Sequence, residues 1–126
     1  MLRDFLAIGA GGALGAALRY VLSIATLSVL DQAFLFGAAP ANVLGALAIG
    51  WLAASQLPSA WRPFLLTGFC GGFTTFSLFS LELLVLLESG RLALAVAYGL
   101  GSVAVWIAAV WIGFRLGGRA KRADNA

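Results

Sequence analysis

Gly68-Phe-Cys-Gly-Gly-Phe-Thr-Thr-Phe-Ser77, continuing as Leu-Phe-Ser-Leu-Glu82, sets paired glycines, paired threonines and then a carboxylate inside an otherwise apolar run. The run covers residues 64–87, enough for a bilayer span of about 20 residues. Gly71-Gly72 removes two side chains and loosens the backbone, and Thr74-Thr75 adds β-branched residues of low helix propensity. A break is therefore predicted near the middle of this helix. In lipid, a break releases N–H and C=O groups that no water satisfies, so it must be buried in protein or line a cavity. Two readings follow: a packing kink with no ion, or freed carbonyls of two broken helices jointly holding a small hard cation.

Three more runs of similar length flank this one, at 5–30, 33–54 and 92–114. The separators are short and carry turn or charge signals: Asp31-Gln32, then 55–59, then Glu88-Ser89-Gly90-Arg91. Of the 126 residues, 62% are hydrophobic and 10% charged, and the mean hydropathy is +1.00. A soluble domain this small could not cover so much apolar surface, which makes lipid the solvent. The expected fold is all-α, with four transmembrane helices in a single domain over 1–117 and a basic tail over 118–126. Arg3 before an apolar run could belong to a secretory signal, but no clear small-x-small stop precedes Arg19.

The chain has no histidine, so the commonest general base and metal ligand is missing, and with it most hydrolytic chemistry. Cys70 is the single cysteine and reads as a small buried apolar residue. Gly9-Ala-Gly-Gly-Ala-Leu-Gly15 looks like a glycine-rich dinucleotide loop, yet no strand precedes it and it lies within a lipid-length run. Gly11 and Gly15 fit close helix packing instead, and the same small-xxx-small spacing recurs at Ala41 and Gly45 and at Ala95 and Gly99. The basic tail beside the last span reads as a topology signal and not as a nucleic-acid site.

Polar groups at membrane depth carry the chemistry: Arg19, Asn42, Thr74, Thr75, Ser77, Ser80, Glu82, Tyr98 and Ser102. Serine and threonine can bond to their own helix, so each of those has a purely structural reading. Arg19 has one as well, as a helix-end residue reaching back to the interface. Asn42 and Glu82 have no such local solution. A charge at the bilayer centre costs about 2.5–3.5 kcal/mol on insertion scales, so such groups face a partner or a wet pathway. At about 100° per residue, Phe76, Phe79, Ser80 and Glu82 share one face of the helix beyond the break. Phenylalanines at this spacing usually pack, but ring edges are positive and can stabilise an anion without trapping it. With Asn42, Ser77, Tyr98 and Ser102 they make a donor track free of fixed cations, suited to a small, strongly hydrated anion.

These residues resemble the small fluoride channels of bacterial membranes, the Fluc or CrcB family. Gly68–Ser77 resembles that family's third-helix signature, Gly11–Tyr20 its first-helix pattern and Asn42–Gly45 its second-helix asparagine segment. The resemblance implies a multi-pass protein of the bacterial inner membrane, an antiparallel homodimer of four-helix subunits with two fluoride pores. Carried over by position, Phe76 and Phe79 would line the pore and Asn42 would be the donor beside them. Ser77, Glu82, Tyr98 and Ser102 would form the polar side of the path, with Arg19 at the base of an aqueous mouth. The backbone carbonyls of Gly71 and Thr74 would hold a structural sodium ion at the dimer centre. Leu78, Ala38 and Trp106 depart from the family pattern: Leu78 stands where relatives commonly carry a polar residue, Ala38 replaces a frequent threonine, and Trp106 is apolar where some relatives continue the polar stripe.

Passive conduction needs no energy-coupling residue. A small four-helix exporter would instead need a carboxylate within the first span, where the ionisable interior group is Arg19. A non-conducting assembly subunit would account for the glycines but not for Asn42 and Glu82. An enzyme would lack a histidine or a second membrane carboxylate. With four spans, Arg3, Arg62, Arg115, Arg119, Lys121 and Arg122 share one side, opposed by Arg91 and, if it reaches the interface, Arg19. Setting aside the four at the late-emerging end leaves near balance, so insertion in both orientations is expected. The alternative is a fixed orientation with an oppositely inserted homologue as partner.

Overall fold

The structure, a computed structural model, describes residues 1–30 and 37–124. Helix α1 covers Leu2–Leu30, α2 Ala38–Ala54, α3 Phe76–Glu88 and α4 Leu92–Asp124. Between α2 and α3 come a 3₁₀ turn at Ser59–Trp61, a wide π-helical stretch at Pro63–Cys70 and one α-helical turn at Gly71–Phe73. Three spans are long and apolar enough to cross a membrane: Leu2–Thr26, Pro63–Glu88 and Leu92–Arg119. The run expected at 33–54 is shorter as a helix, the 17 residues of α2. Its expected first residues, 33–36, lie outside the described residues. Helix α4 continues through 118–124, so the tail begins as an extension of the last span.

Local chemistry explains the ends. Pro40 is tolerated because it lies in the first turn of α2, where N–H groups have no helical partner. At the other end, Ser55 donates both its backbone N–H and its hydroxyl to the Trp51 carbonyl. Pro63 opens the third span in the same permissive position. Helix α3 closes on Gly90 at φ 72°, with Arg91 N–H reaching the Leu86 oxygen at 2.9 Å and Gly90 N–H the Leu87 oxygen at 3.0 Å. That left-handed turn lets α4 start two residues later.

Packing divides the molecule into two tight seams. In the first, α1 lies against residues 63–73 with backbone on backbone. A β-carbon at Gly11 would strike the Phe64 carbonyl, one at Gly15 the Phe69 carbonyl, and one at Gly72 the Gly12 carbonyl. In the second, α2 lies against α4: β-carbons at Gly50, Gly113 and Gly117 would strike the carbonyls of Val110, Leu47 and Trp51. Such contact suits helices in lipid, where dispersion and not water exclusion drives association. The Gly11 and Gly15 pair therefore packs as its spacing implies. Gly45 meets the Thr74 side chain, whereas Gly99 makes only ordinary contact with Leu83. The second seam rests on Gly113-x-x-x-Gly117, the same spacing in the C-terminal part of α4. The short α3 packs on α2 and α4, bringing the end of the first seam to the start of the second.

Candidate functional site

Where the seams meet, helical bonding stops. Thr74 (φ −78°, ψ 154°) and Thr75 (φ −144°, ψ 115°) are extended, and the chain resumes as helix at Phe76. Asn42 of α2 brackets Thr75: its Oδ1 accepts from the Thr75 N–H at 2.7 Å and its Nδ2 donates to the Thr75 carbonyl at 2.9 Å. Both residues are 6% exposed, so these bonds replace water the site excludes. Thr75 then caps α3, its hydroxyl oxygen accepting from Leu78 N–H at 3.2 Å and lying 3.2 Å from the Ser77 hydroxyl. Thr74 folds its hydroxyl back onto the Cys70 carbonyl at 2.9 Å.

These captures decide which carbonyls are released. In a continuous α-helix the Gly71 oxygen would bond Thr75 N–H and the Thr74 oxygen Leu78 N–H. Here the first donor is held by Asn42 and the second by the Thr75 side chain. The Gly72 oxygen, whose helical donor would be Phe76, accepts instead from Arg19 Nε at 3.3 Å. Arg19 is thus turned into the protein at the level of the discontinuity, partly buried, as well as marking depth in α1.

Glu82 is completely buried. Its Oε1 accepts from Ala38 N–H at 2.8 Å, and its Oε2 accepts from the Tyr98 hydroxyl. One carboxylate therefore satisfies the first orphan N–H of α2, at the positive end of that helix, and ties α2 to α4. Tyr98 has one hydroxyl hydrogen and gives it to Glu82, so its oxygen faces other neighbours as an acceptor. Ser102, one turn along α4, is in hydrogen-bonding reach of that oxygen. Sequence reading places Tyr98 and Ser102 among donors; their bond directions make Tyr98 the exception.

The rings complete the site. Phe79, 3% exposed, is surrounded by Phe76, Tyr98 and Trp106, with centroids 5.8, 5.3 and 4.8 Å away. Trp106 meets Phe79 at 70°, edge to face. Phe76 is 72% exposed although it opens a helix at the centre of the chain's polar cluster. Asn42, Thr74, Thr75, Phe76 and Trp106 line a groove of about 340 Å³. Trp106 also lines a second groove of about 250 Å³ with Tyr98 and Ser102, so its ring is a wall common to both. Asn42 keeps one amide hydrogen beyond the one given to Thr75.

The structure thus joins Asn42, Thr75 and Ser77 in one hydrogen-bonded set and Glu82, Tyr98 and Ser102 in another, with the Phe79 ring touching both Phe76 and Tyr98. Thr75 and Trp106 matter more than spacing alone indicates. A threonine directly before a helical apolar run is a capping signal that would have marked Thr75. Trp106 carries no comparable signal, because one aromatic residue in a span is ordinarily packing.

Fold and site together define a small multi-pass membrane protein with polar groups arranged around the extended residues Thr74 and Thr75. A family described as "CrcB-like protein, Camphor Resistance (CrcB)" matches residues 6–114. Similar proteins include the "Fluoride-specific ion channel FluC" of Nitrobacter winogradskyi, 43% identical over 116 residues, covering 88% of this chain and 92% of the relative. The protein of the same name from Paracoccus denitrificans is 44% identical over 120 residues, covering 93% and 96%. That from Phenylobacterium zucineum is 40% identical over 124 residues, covering 94% and 98%. This chain belongs to the CrcB family.

Proposed function

We infer that the chain is a fluoride-selective channel that lets fluoride leave the cytoplasm passively, with no enzymatic step. The carrying observation is the exposed Phe76 ring beside buried Phe79, set against Asn42 and Ser77 where the third span loses its helical bonds. Ring edges and neutral donors replace part of fluoride's hydration, and with no cation fixed on the path the ion is held weakly enough to leave. Hydrogen fluoride enters a cell as the neutral acid and dissociates inside, so an exit down the gradient is protective. The names of the relatives support the same ion.

Phe76, Phe79, Asn42, Ser77 and Ser102 are assigned to the path. Glu82 and Tyr98 hold α2 and α4 in place beside it, and Arg19 acts at an aqueous mouth while keeping the Gly72 carbonyl occupied. The extended Thr74-Thr75 pair is read as a functional break. The donor set there fits a structural sodium ion: the Gly71 and Thr74 carbonyls are hard oxygen ligands whose helical donors are held elsewhere. Bound sodium would supply fixed positive charge that pins the break. Two oxygens do not complete a shell, so further ligands would come from a second copy. An antiparallel homodimer in the bacterial inner membrane is supported by the near balance of early positive charges and by the exposure of Phe76.

A fluoride electrode on protein reconstituted in liposomes tests the function. Rapid fluoride efflux with chloride efflux at background is expected; chloride flux of equal size would sink the proposal. Exchanging sodium for a large organic cation during purification should slow or abolish efflux, and full activity without alkali metal would reduce the break to a kink. The exporter reading loses ground because Asp4, the acidic residue of α1, lies at its exposed end, 3.5 Å from the N-terminal amine.

A further inference from the structure

Helix α4 has 33 residues, about 50 Å at about 1.5 Å per residue, so it outruns a hydrocarbon core of about 30 Å. Its apolar span ends at Arg119. Over the last turns of that span, Trp111, Arg115 and Arg119 follow one another at four-residue spacing, and Phe114 and Gly118 lie alongside. At about 100° per residue these five residues occupy about 140° of arc, one continuous face. They bound an open depression of about 580 Å³. Gly118 keeps its floor low, because nothing lies within 4 Å of where its β-carbon would stand.

The depression combines two chemistries. The Arg115 guanidinium lies over the Trp111 ring, 4.3 Å from the centroid, which fixes the cation and leaves its N–H edges open. Trp111 and Phe114, 57% and 56% exposed, offer apolar surface at the level where a span meets headgroups. Among the described residues neither Arg115 nor Arg119 has a carboxylate within ion-pairing distance. Two unneutralised guanidiniums above exposed aromatic rings complement a ligand with an anionic head and a hydrocarbon body.

We propose that Trp111, Arg115 and Arg119 form a binding site for the phosphodiester of an anionic phospholipid, with the lipid's acyl chains lying along Phe114 and the apolar flank of α4. A guanidinium fork matches a phosphodiester's two oxygens, and the aromatic pair explains why a lipid fits better than free phosphate. The site is separate from the grooves around Phe79, so it stands or falls independently of fluoride conduction.

The test measures lipid retention by native mass spectrometry of the full-length protein, titrated with phosphatidylglycerol or phosphatidylcholine. Two arginines at a headgroup surface correspond to roughly 30-fold preference for the anionic lipid. Wild type should show that preference, and Arg115→Ala with Arg119→Ala should abolish it. Arg3→Ala with Arg62→Ala removes the same charge outside the depression and should keep most of it. Equal loss from both double variants would mean diffuse attraction and overturn the site. Displacement of the lipid by millimolar inorganic phosphate would overturn lipid specificity, as would a wild type with no preference. Fluoride efflux from phosphatidylcholine vesicles, unchanged in Arg115→Ala/Arg119→Ala, shows that the variant is folded.

Discussion

The seam of α1 against residues 63–73 and the cluster around Thr75 and Glu82 are neighbours held by opposite means. The seam is built by removing side chains, so that Gly11, Gly15 and Gly72 bring backbone onto backbone. The cluster is built by adding polar side chains whose every bond reaches a specific atom: Asn42 to Thr75, Glu82 to Ala38 and Tyr98. A glycine seam tolerates no added atom and carries no chemical direction. A hydrogen-bonded bracket tolerates changes of shape better than a reversal of donor and acceptor.

The largest effect is therefore expected at the seam. Gly15→Ala puts a methyl against the Phe69 carbonyl and the Phe73 N–H, backbone atoms that cannot turn away. Destabilisation of about 3 kcal/mol should appear as lost monodisperse protein or a lowered thermal midpoint, an overpacking cost at the upper end of the usual range. A wild-type midpoint would show that the seam is looser than drawn.

Next comes the bracket. Asn42→Ala leaves the Thr75 N–H and carbonyl unpaired beside a groove that can admit water, about 1 kcal/mol each at the low end of the usual range, so fluoride efflux should fall to background with a lowered thermal midpoint. Asn42→Asp sharpens the comparison, because it retains the acceptor for Thr75 N–H but has no donor for the Thr75 carbonyl. Activity near wild type in the aspartate variant would make that second bond dispensable.

Smaller in stability and confined to function are the ring substitutions. Phe76→Ile and Phe79→Ile keep much of the volume and lose the positive ring edge, so efflux should drop roughly tenfold with assembly retained. The fall at the exposed Phe76 should come without a change in thermal midpoint. Unchanged flux in both would return the pair to packing.

Glu82→Gln tests direction alone. The amide keeps one acceptor oxygen for the two donors Ala38 N–H and Tyr98 O–H, so about 1–3 kcal/mol of stability should go. In a Tyr98→Phe background the loss should shrink, and strict additivity in that double-mutant cycle would break the proposed link. The smallest effect belongs to Gly101→Ala, whose new methyl would meet nothing within 4 Å. It should be neutral or stabilising by less than about 1 kcal/mol, and loss of function there would mean that a partner covers this face.

The chain alone determined its solvent and fold class, because apolar length and charge are local quantities: runs of some twenty apolar residues leave lipid-embedded helices as the outcome. Its motifs also determined the family, and they singled out Asn42 and Glu82 as residues with no local excuse. What they could not determine is who satisfies whom. Asn42 reaches Thr75 across 33 positions, Glu82 reaches Ala38 across 44, and Arg19 reaches Gly72 across 53. No helical period encodes such pairs; they exist only once the seams have set the helices' depths and rotations. The same is true of Tyr98, a donor by residue type, whose single hydrogen the fold directs to Glu82. Tertiary structure decided the direction of that bond, because burying a carboxyl oxygen without a donor costs more than turning a hydroxyl towards it.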